Sequence, residues 1–135
     1  MLNQDVWPVR VYYEDTDAGG VVYYANYLAY MERARTEWLR GLGFENSTLA
    51  EHHGVVFVVR RVTVDYLGPA RLDDELAVTA RVKSLRRASL DFEQQVLRGD
   101  ECLCCADVRL VCVDTRRFRP APVPKTLAER IKDGE

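Results

Sequence analysis

Between Tyr12 and Tyr27 the chain reads Tyr-Tyr-Glu-Asp-Thr-Asp-Ala-Gly-Gly-Val-Val-Tyr-Tyr-Ala-Asn-Tyr, with Glu14, Asp15 and Asp17 placed just ahead of a glycine pair. A carboxylate in such a loop can attack a carbonyl or take a proton from water. The residues that follow predict a helix, whose first turn carries unpaired backbone N–H groups and the positive end of the dipole. That end polarises a carbonyl and holds the oxyanion formed when the carbonyl is attacked. Gly19 and Gly20 allow the backbone to approach a ligand closely. Taken alone, the same pattern equally suits a tight turn in which Asp15 and Asp17 cap backbone groups.

Other chemistry-bearing patterns are thin. There is no GxGxxG, Walker loop, GxSxG elbow or HExxH. The only histidines, His52 and His53, are adjacent in a polar segment, which disfavours a Ser-His-Asp triad. Cys102-Leu-Cys-Cys105 has CxxC spacing, but Glu101 to Asp114 reads as a strand. Residues three apart on a strand point to opposite faces, so no metal is expected there and the thiols are read as buried and reduced.

The elements that must position the acidic loop follow from periodicity. Val9 to Tyr13 suggests a short first strand. From about Tyr24 to Leu42, Tyr27, Met31, Ala34 and Trp38 recur at helical steps, with Tyr30 and Leu39 widening the stripe and Glu32, Arg33, Arg35 and Glu37 between them. Gly41 and Gly43 are stop signals, and Arg40 complements the helix dipole. A shorter helix is expected from Ser47, its N-cap, to His53, ended by Gly54. Four strands follow. Val56, Val58, Val62, Val64 and Tyr66 are assigned to one face of the first, with Arg60 breaking it. Leu76, Val78, Ala80 and Val82 line the second. Ala88, Leu90, Phe92 and Val96 line the third, and the fourth runs from Cys102 to Val113. Arg98-Gly-Asp100 is a hairpin turn, and Pro120, Pro122 and Pro124 precede a last short helix from Lys125 to Lys132. The expected class is α+β, with helices on one face of an antiparallel sheet of about five strands.

With 135 residues, 47% of them hydrophobic, the chain suits one domain (1–135) with a real core. A net charge of −2 gives no general attraction to nucleic acid or anionic membranes, so phosphate binding would rest on local clusters such as Arg86-Arg87 or Arg60-Arg61. Met1 to Arg10 lacks the features of a secretory signal, and no apolar run approaches a membrane span. A cytoplasmic location is the expectation.

The stretch Tyr13-Glu-Asp-Thr-Asp-Ala-Gly-Gly-Val-Val-Tyr-Tyr-Ala-Asn-Tyr27, followed by Tyr30-Met-Glu-Arg-Ala-Arg-Thr-Glu37, closely resembles the signature of the 4-hydroxybenzoyl-CoA thioesterase family, within it the Tol-Pal-associated acyl-CoA thioesterase branch. The likeness continues through Phe57-Val-Val-Arg-Arg61, Val64-Asp-Tyr-Leu-Gly-Pro-Ala-Arg-Leu-Asp-Asp74, Ser89-Leu90 and Val111-Cys-Val-Asp114. It implies a hotdog fold, in which the sheet wraps a long central helix, and hydrolysis of an acyl-CoA or acyl carrier protein thioester. Asp17 falls on the family's catalytic carboxylate, acting as nucleophile or as base for water. The backbone N–H near Tyr24 would polarise the carbonyl. Asp15 is assigned to loop structure, and Asn26, which matches the family's Asn at the substrate-binding turn, would cap the helix or orient the loop, capping being preferred.

Gly20 and Val21 would border the substrate, Val59 and Arg60 would lie along the pantetheine channel, and Arg86 and Arg87 are weighed equally as nucleotide-phosphate contacts or a solvated hairpin tip. The resemblance implies a homodimer with the site at its interface, two dimers forming a homotetramer, and no cofactor beyond the CoA of the substrate. Tyr24 departs from the branch, whose members often carry His there; a phenol with a pKa near 10 is a poor base at neutral pH. The competing class is a non-catalytic acyl-CoA binding or sensing hotdog module. A hydratase is weakly supported, since no His lies in the matched motif.

Overall fold

The computed structural model describes residues 4–134. In chain order it holds β1 (Gln4–Arg10), a 3-10 turn (Tyr13–Asp15), α1 (Tyr24–Gly41), α2 (Asn46–Thr48) running into a π turn (Leu49–His53), β2 (Val55–Tyr66), β3 (Glu75–Leu85), β4 (Ser89–Arg98), β5 (Glu101–Asp114) and α3 (Lys125–Asp133). The strands form one antiparallel sheet in the order β1-β3-β4-β5-β2. No helix among the described residues is long and apolar enough to cross a membrane.

The helical stripe is the core-facing surface of α1: Tyr27, Tyr30, Met31, Ala34, Trp38 and Leu39 are all buried. They pack on Leu76, Val78, Ala80 and Val82 of β3 and on Leu90, Phe92 and Val96 of β4, all buried as alternation requires. Trp38 meets Phe92 edge-on at 4.9 Å. Removing each large apolar side chain from water contributes about 1.5–3 kcal/mol. One polar residue interrupts this layer. Gln94 is fully buried, with Nε2 donating to Met31 O and Thr79 O, both at 3.0 Å.

The observed first strand lies upstream of the expected Val9–Tyr13. Pro8 and Asp5 obscured it, but β1 is an edge strand, where a proline withholds no needed ladder bond. The short helix starts at Asn46 rather than after a Ser47 cap. Glu45 is extended at the N-cap, and its N–H donates to Thr48 Oγ1 at 3.1 Å.

Bulges correct two facial assignments. Val59 pairs with Leu110 but Arg61 with Arg109, so Arg60 is an extra residue on β2 and switches its alternation. Phe57 and Val59 therefore share the helix-facing side with Val62, Val64 and Tyr66, while Val56 and Val58 oppose Val113 and Val111 on the other. Arg60 marks the bulge and not a break in an apolar face. On β5, Val96 pairs with Cys104 and Leu97 with Cys102, making Leu103 the extra residue. Leu103 and Cys104 are both fully buried, and Cys102 and Cys105 consequently share the outer face. The expectation that they point apart fails for that reason. Cys104 and Cys112 fit the buried-thiol reading: burial pushes Cys104 up to about 12 and Cys112 to about 11.

Candidate active site

The acidic loop is folded by its own backbone before any side chain is considered. Asp17 N–H donates to Val21 O at 2.9 Å and Gly20 N–H to Asp17 O at 3.0 Å, closing a tight turn. Gly20 sits at φ 78°, a conformation that costs an L side chain and costs glycine nothing. Thr16 bridges Val22, and Val21 bridges Arg71 in the connection between β2 and β3. Val22 N–H donates to Ala70 O at 2.8 Å, so the turn is fastened to that connection as well.

Asp15 and Asp17 have different surroundings. Both oxygens of Asp15 are occupied, Oδ2 by Tyr12 N–H and Oδ1 by Asn26 Nδ2, each at 2.9 Å, while its carbonyl accepts Tyr23 N–H at 2.9 Å. Asp15 thus ties the loop to the start of α1. Asn26 serves the same tie, the loop-orienting role and not the preferred capping one; the N-cap is Tyr23, whose side chain makes no capping bond. Asp17 is exposed. Its Oδ1 accepts Gly19 N–H at 2.8 Å, and Oδ2 has no partner among the described residues.

The helix start beside this turn is left open. Asn26 N–H returns to Tyr23 O at 2.8 Å, but the N–H groups of Tyr24 and Ala25 have no partner among the described residues. The positive end of α1 therefore presents two donors with nothing to hold. Around it stands a group of tyrosines. Tyr24 is largely exposed, with ring centroids 4.8 Å from Tyr23 and 6.0 Å from Tyr66. Tyr27 is buried, its Oη accepting Ala70 N–H at 2.9 Å and donating to Gly68 O at 3.4 Å. Tyr30 Oη is buried without a geometrically sound hydrogen bond; burial first, then the neighbouring Asp15 carboxylate, hold its phenol far above the ordinary range, so it stays neutral.

The other expected residues fall in two places. Val59 is half exposed on the helix-facing side of β2, and Arg60 is exposed at the bulge beside it. Gly20 and Val21 flank Asp17. Arg86 and Arg87 are not brought to Asp17 within one chain. The Asp17 turn meets the chain near Arg71, before β3, and these arginines follow the last residue of that strand, about 30 Å away at 3.3 Å per residue. Arg86 is held by Asp91 at 2.7 Å, and Arg109 binds the same carboxylate at 2.8 Å. Together they hold Asp91 well below the usual carboxylate range.

Two residues escaped the sequence reading. Arg35 looked like one polar position among several on α1, yet it is partly buried and its Nη1 donates to Gln94 Oε1 at 2.9 Å. The available signal was Gln94 itself, a glutamine in step with Leu90, Phe92 and Val96. No group of three or more His, Cys, Asp or Glu among the described residues is arranged to hold a metal ion.

Comparison with known proteins agrees with the fold. The sequence model of the thioesterase-like superfamily matches residues 11–131. The acyl-CoA thioester hydrolase YbgC of Escherichia coli O6:H1 is 49% identical over 127 residues, 93% of this chain and 94% of that protein. The acyl-CoA thioesterase YbgC of Haemophilus influenzae is 49% identical over 119 residues, 88% of each. Among solved structures, a 1,4-dihydroxy-2-naphthoyl-CoA thioesterase from Synechocystis superposes with a TM-score of 0.89, covering 96% of both chains at 21% identity, which bears on the fold alone. The five-stranded sheet wrapped on α1 is the hotdog arrangement.

Proposed function

The chain belongs to the thioesterase-like superfamily, and from that premise we propose that it hydrolyses acyl-CoA thioesters at the junction of the Asp17 turn and the start of α1. It is a thioester hydrolase, as its YbgC relatives are named. The observation that carries the site assignment is the contrast between two aspartates. Asp15 spends both oxygens on the scaffold, and Asp17 keeps one free beside a helix start with two open N–H groups. A module that only bound its ligand would gain nothing from an unspent carboxylate there.

In the reaction, the thioester carbonyl oxygen takes up the N–H groups of Tyr24 and Ala25, which stabilise it most when it becomes an oxyanion. Asp17 either attacks the carbonyl carbon, giving an acyl-aspartyl anhydride that water then opens, or deprotonates the attacking water. The C–S bond breaks in either course, and the CoA thiolate leaves and is protonated. Tyr24 contributes its backbone, and no cofactor beyond the CoA of the substrate is needed. Acyl carrier protein thioesters present the same carbonyl on the same pantetheine arm.

The working unit is a homodimer joined at β2. That strand is the sheet edge, twelve residues long, with Val59, Val62 and Tyr66 exposed on its helix-facing side. Its only edge-blunting features are one bulge and Arg60-Arg61, too little to keep a second copy from pairing. Antiparallel pairing of two β2 strands also brings the Arg86-Arg87 end of one chain toward the Asp17 end of the other, where a nucleotide phosphate would meet it. Association of two such dimers into a tetramer adds nothing to the site. The location consistent with an acyl-CoA substrate is the cytoplasm.

Thiol release from a panel of acyl-CoA esters, wild type against Asp17→Asn, tests the assignment. Turnover should fall by about 10²–10⁴-fold in the variant while the protein stays folded. Turnover that survives the substitution places the chemistry elsewhere, and rapid-quench single turnover with an acyl-labelled ester separates the two roles, because only a nucleophilic Asp17 becomes covalently acylated.

A further inference from the structure

Gln94 fixes more than the helix. With Nε2 shared between Met31 O and Thr79 O, its Oε1 must point to Arg35, since a flipped amide would set an oxygen against two carbonyls and an NH₂ against a cation. Arg35 therefore has one neutral partner. Its remaining N–H groups bond nothing among the described residues, and no carboxylate pairs with it. Glu32, one turn earlier, is exposed and accepts the Thr36 hydroxyl at 3.0 Å. Burial pulls the guanidinium below its usual range, with Glu32 only partly opposing that. A half-desolvated cation with no carboxylate in salt-bridge contact is a costly arrangement, and a carboxylate arriving in bidentate geometry relieves it more than the exposed Glu32 does.

This guanidinium borders a cleft of about 120 Å³ between α1 and the sheet, with Trp38, Phe57, Val59 and Phe92 as its apolar wall and Glu32 and Asn46 as polar lining beside Arg35. An apolar cavity of about 150 Å³ takes benzene, so this one takes a chain of roughly five heavy atoms. Within one protomer it is out of reach of the helix start, because Tyr24 and Arg35 are about 16 Å apart along α1. The dimer removes that separation. Tyr24 rests on Tyr66 at the end of β2, whereas Phe57 and Val59 lie near its beginning. Two β2 strands paired about their centre set Tyr66 of the second copy opposite Val55, which carries the second copy's helix start to the mouth of this cavity.

We infer that the Arg35 cavity receives the acyl end of a thioester bound at the other protomer's helix start, and that Arg35, held by Gln94, selects short acyl chains ending in a carboxylate. The inference rests on the thioesterase reading and on the β2 dimer. Arg35 touches the substrate's far end, and Gln94 is a positioning residue.

Steady-state hydrolysis of glutaryl-CoA and of valeryl-CoA, equal in carbon count, tests it on the wild type, Arg35→Met and Arg35→Lys. The wild type should favour the glutaryl ester by more than about tenfold in kcat/KM; Arg35→Met should lose that preference, chiefly through KM, with valeryl-CoA changed by less than about threefold, and Arg35→Lys should keep part of it. Should Arg35→Met not fold, Arg35→Gln, polar but uncharged, takes its place with the same expectation. An unchanged ratio in the uncharged variant overturns the inference, and so does a wild type that prefers valeryl-CoA or turns over only long aliphatic esters. Those outcomes leave the thioesterase reading standing. Absence of turnover on every ester overturns both.

Discussion

The two ends of α1 are finished in opposite ways. At the C-terminal end, Leu42 and Phe44 N–H groups return to Leu39 O at 3.0 and 3.2 Å, and Gly43 N–H returns to Arg40 O at 2.9 Å. Arg130 of α3 donates to Leu42 O at 2.5 Å and covers the Phe44 ring at 5.1 Å. Arg40 is paired with both Glu37 and Glu45. Gly43, at φ 90°, leaves the space that Arg130 fills, where a Cβ would come within 2.5 Å of its Nη1. At the N-terminal end Tyr23 offers no cap and two N–H groups stay open, although the adjoining loop is tightly tied by Asp15. A capping side chain there is worth about 1 kcal/mol. The contrast teaches that the open end is not a loose end: its surroundings are tied down by hydrogen bonds, and the first-turn N–H groups left open are those that the proposed reaction uses.

Substitutions can break or sharpen this contrast. The largest effect is expected from Asp17→Asn: against the 10²–10⁴-fold loss of turnover, stability should move by no more than about 0.5 kcal/mol in urea unfolding, because the carboxylate is exposed and bonded only within its own turn. Asp15→Ala should do the reverse in kind. It deprives Tyr12 N–H and the Asn26 amide of their acceptor and should cost about 1–3 kcal/mol in the same unfolding measurement. Equal stability losses for the two aspartates would end the distinction between them. Tyr23→Ser supplies the missing cap and should raise stability by about 0.5–1 kcal/mol while lowering kcat, since its hydroxyl competes for the first-turn N–H groups. A variant both more stable and fully active would show that those groups are not needed. Smallest is Arg130→Met at the closed end, expected to lower stability by about 0.5–1 kcal/mol and to leave kcat/KM unchanged.

Much of this molecule was legible from residue order. The α1 stripe from Tyr27 to Leu39 and the alternation in β3 and β4 each match one period cleanly, and they gave the element order and the helix-facing surfaces. The bulges were not legible. In β2, valines stand on both sides of Arg60, so a one-residue slip changes which valines face α1 without changing how the segment reads. The same blindness placed Cys102 and Cys105 on opposite faces. β1 was misplaced because a proline argues against a strand unless its edge position is already known.

The Asp17 turn was found by motif, but its separation from Asp15 rests on hydrogen bonds between residues eleven apart, which no local pattern displays. Arg35 and Gln94 were missed because their meaning lies in a contact across 59 positions.

Gln94 has one more consequence, for how firmly the fold chooses itself. A helix lying on a sheet of Leu, Val and Phe can slide along it by a turn and still bury much the same area, because apolar contact has no direction. Such neighbouring arrangements differ little in energy and would compete as the chain collapses. The buried amide admits only one of them. Its two donors need Met31 O in reach, and a displacement of about 5.4 Å, one helical pitch, would strand a polar group in a dry core at a cost of several kcal/mol. A single glutamine thus turns a continuous apolar seat into a notch.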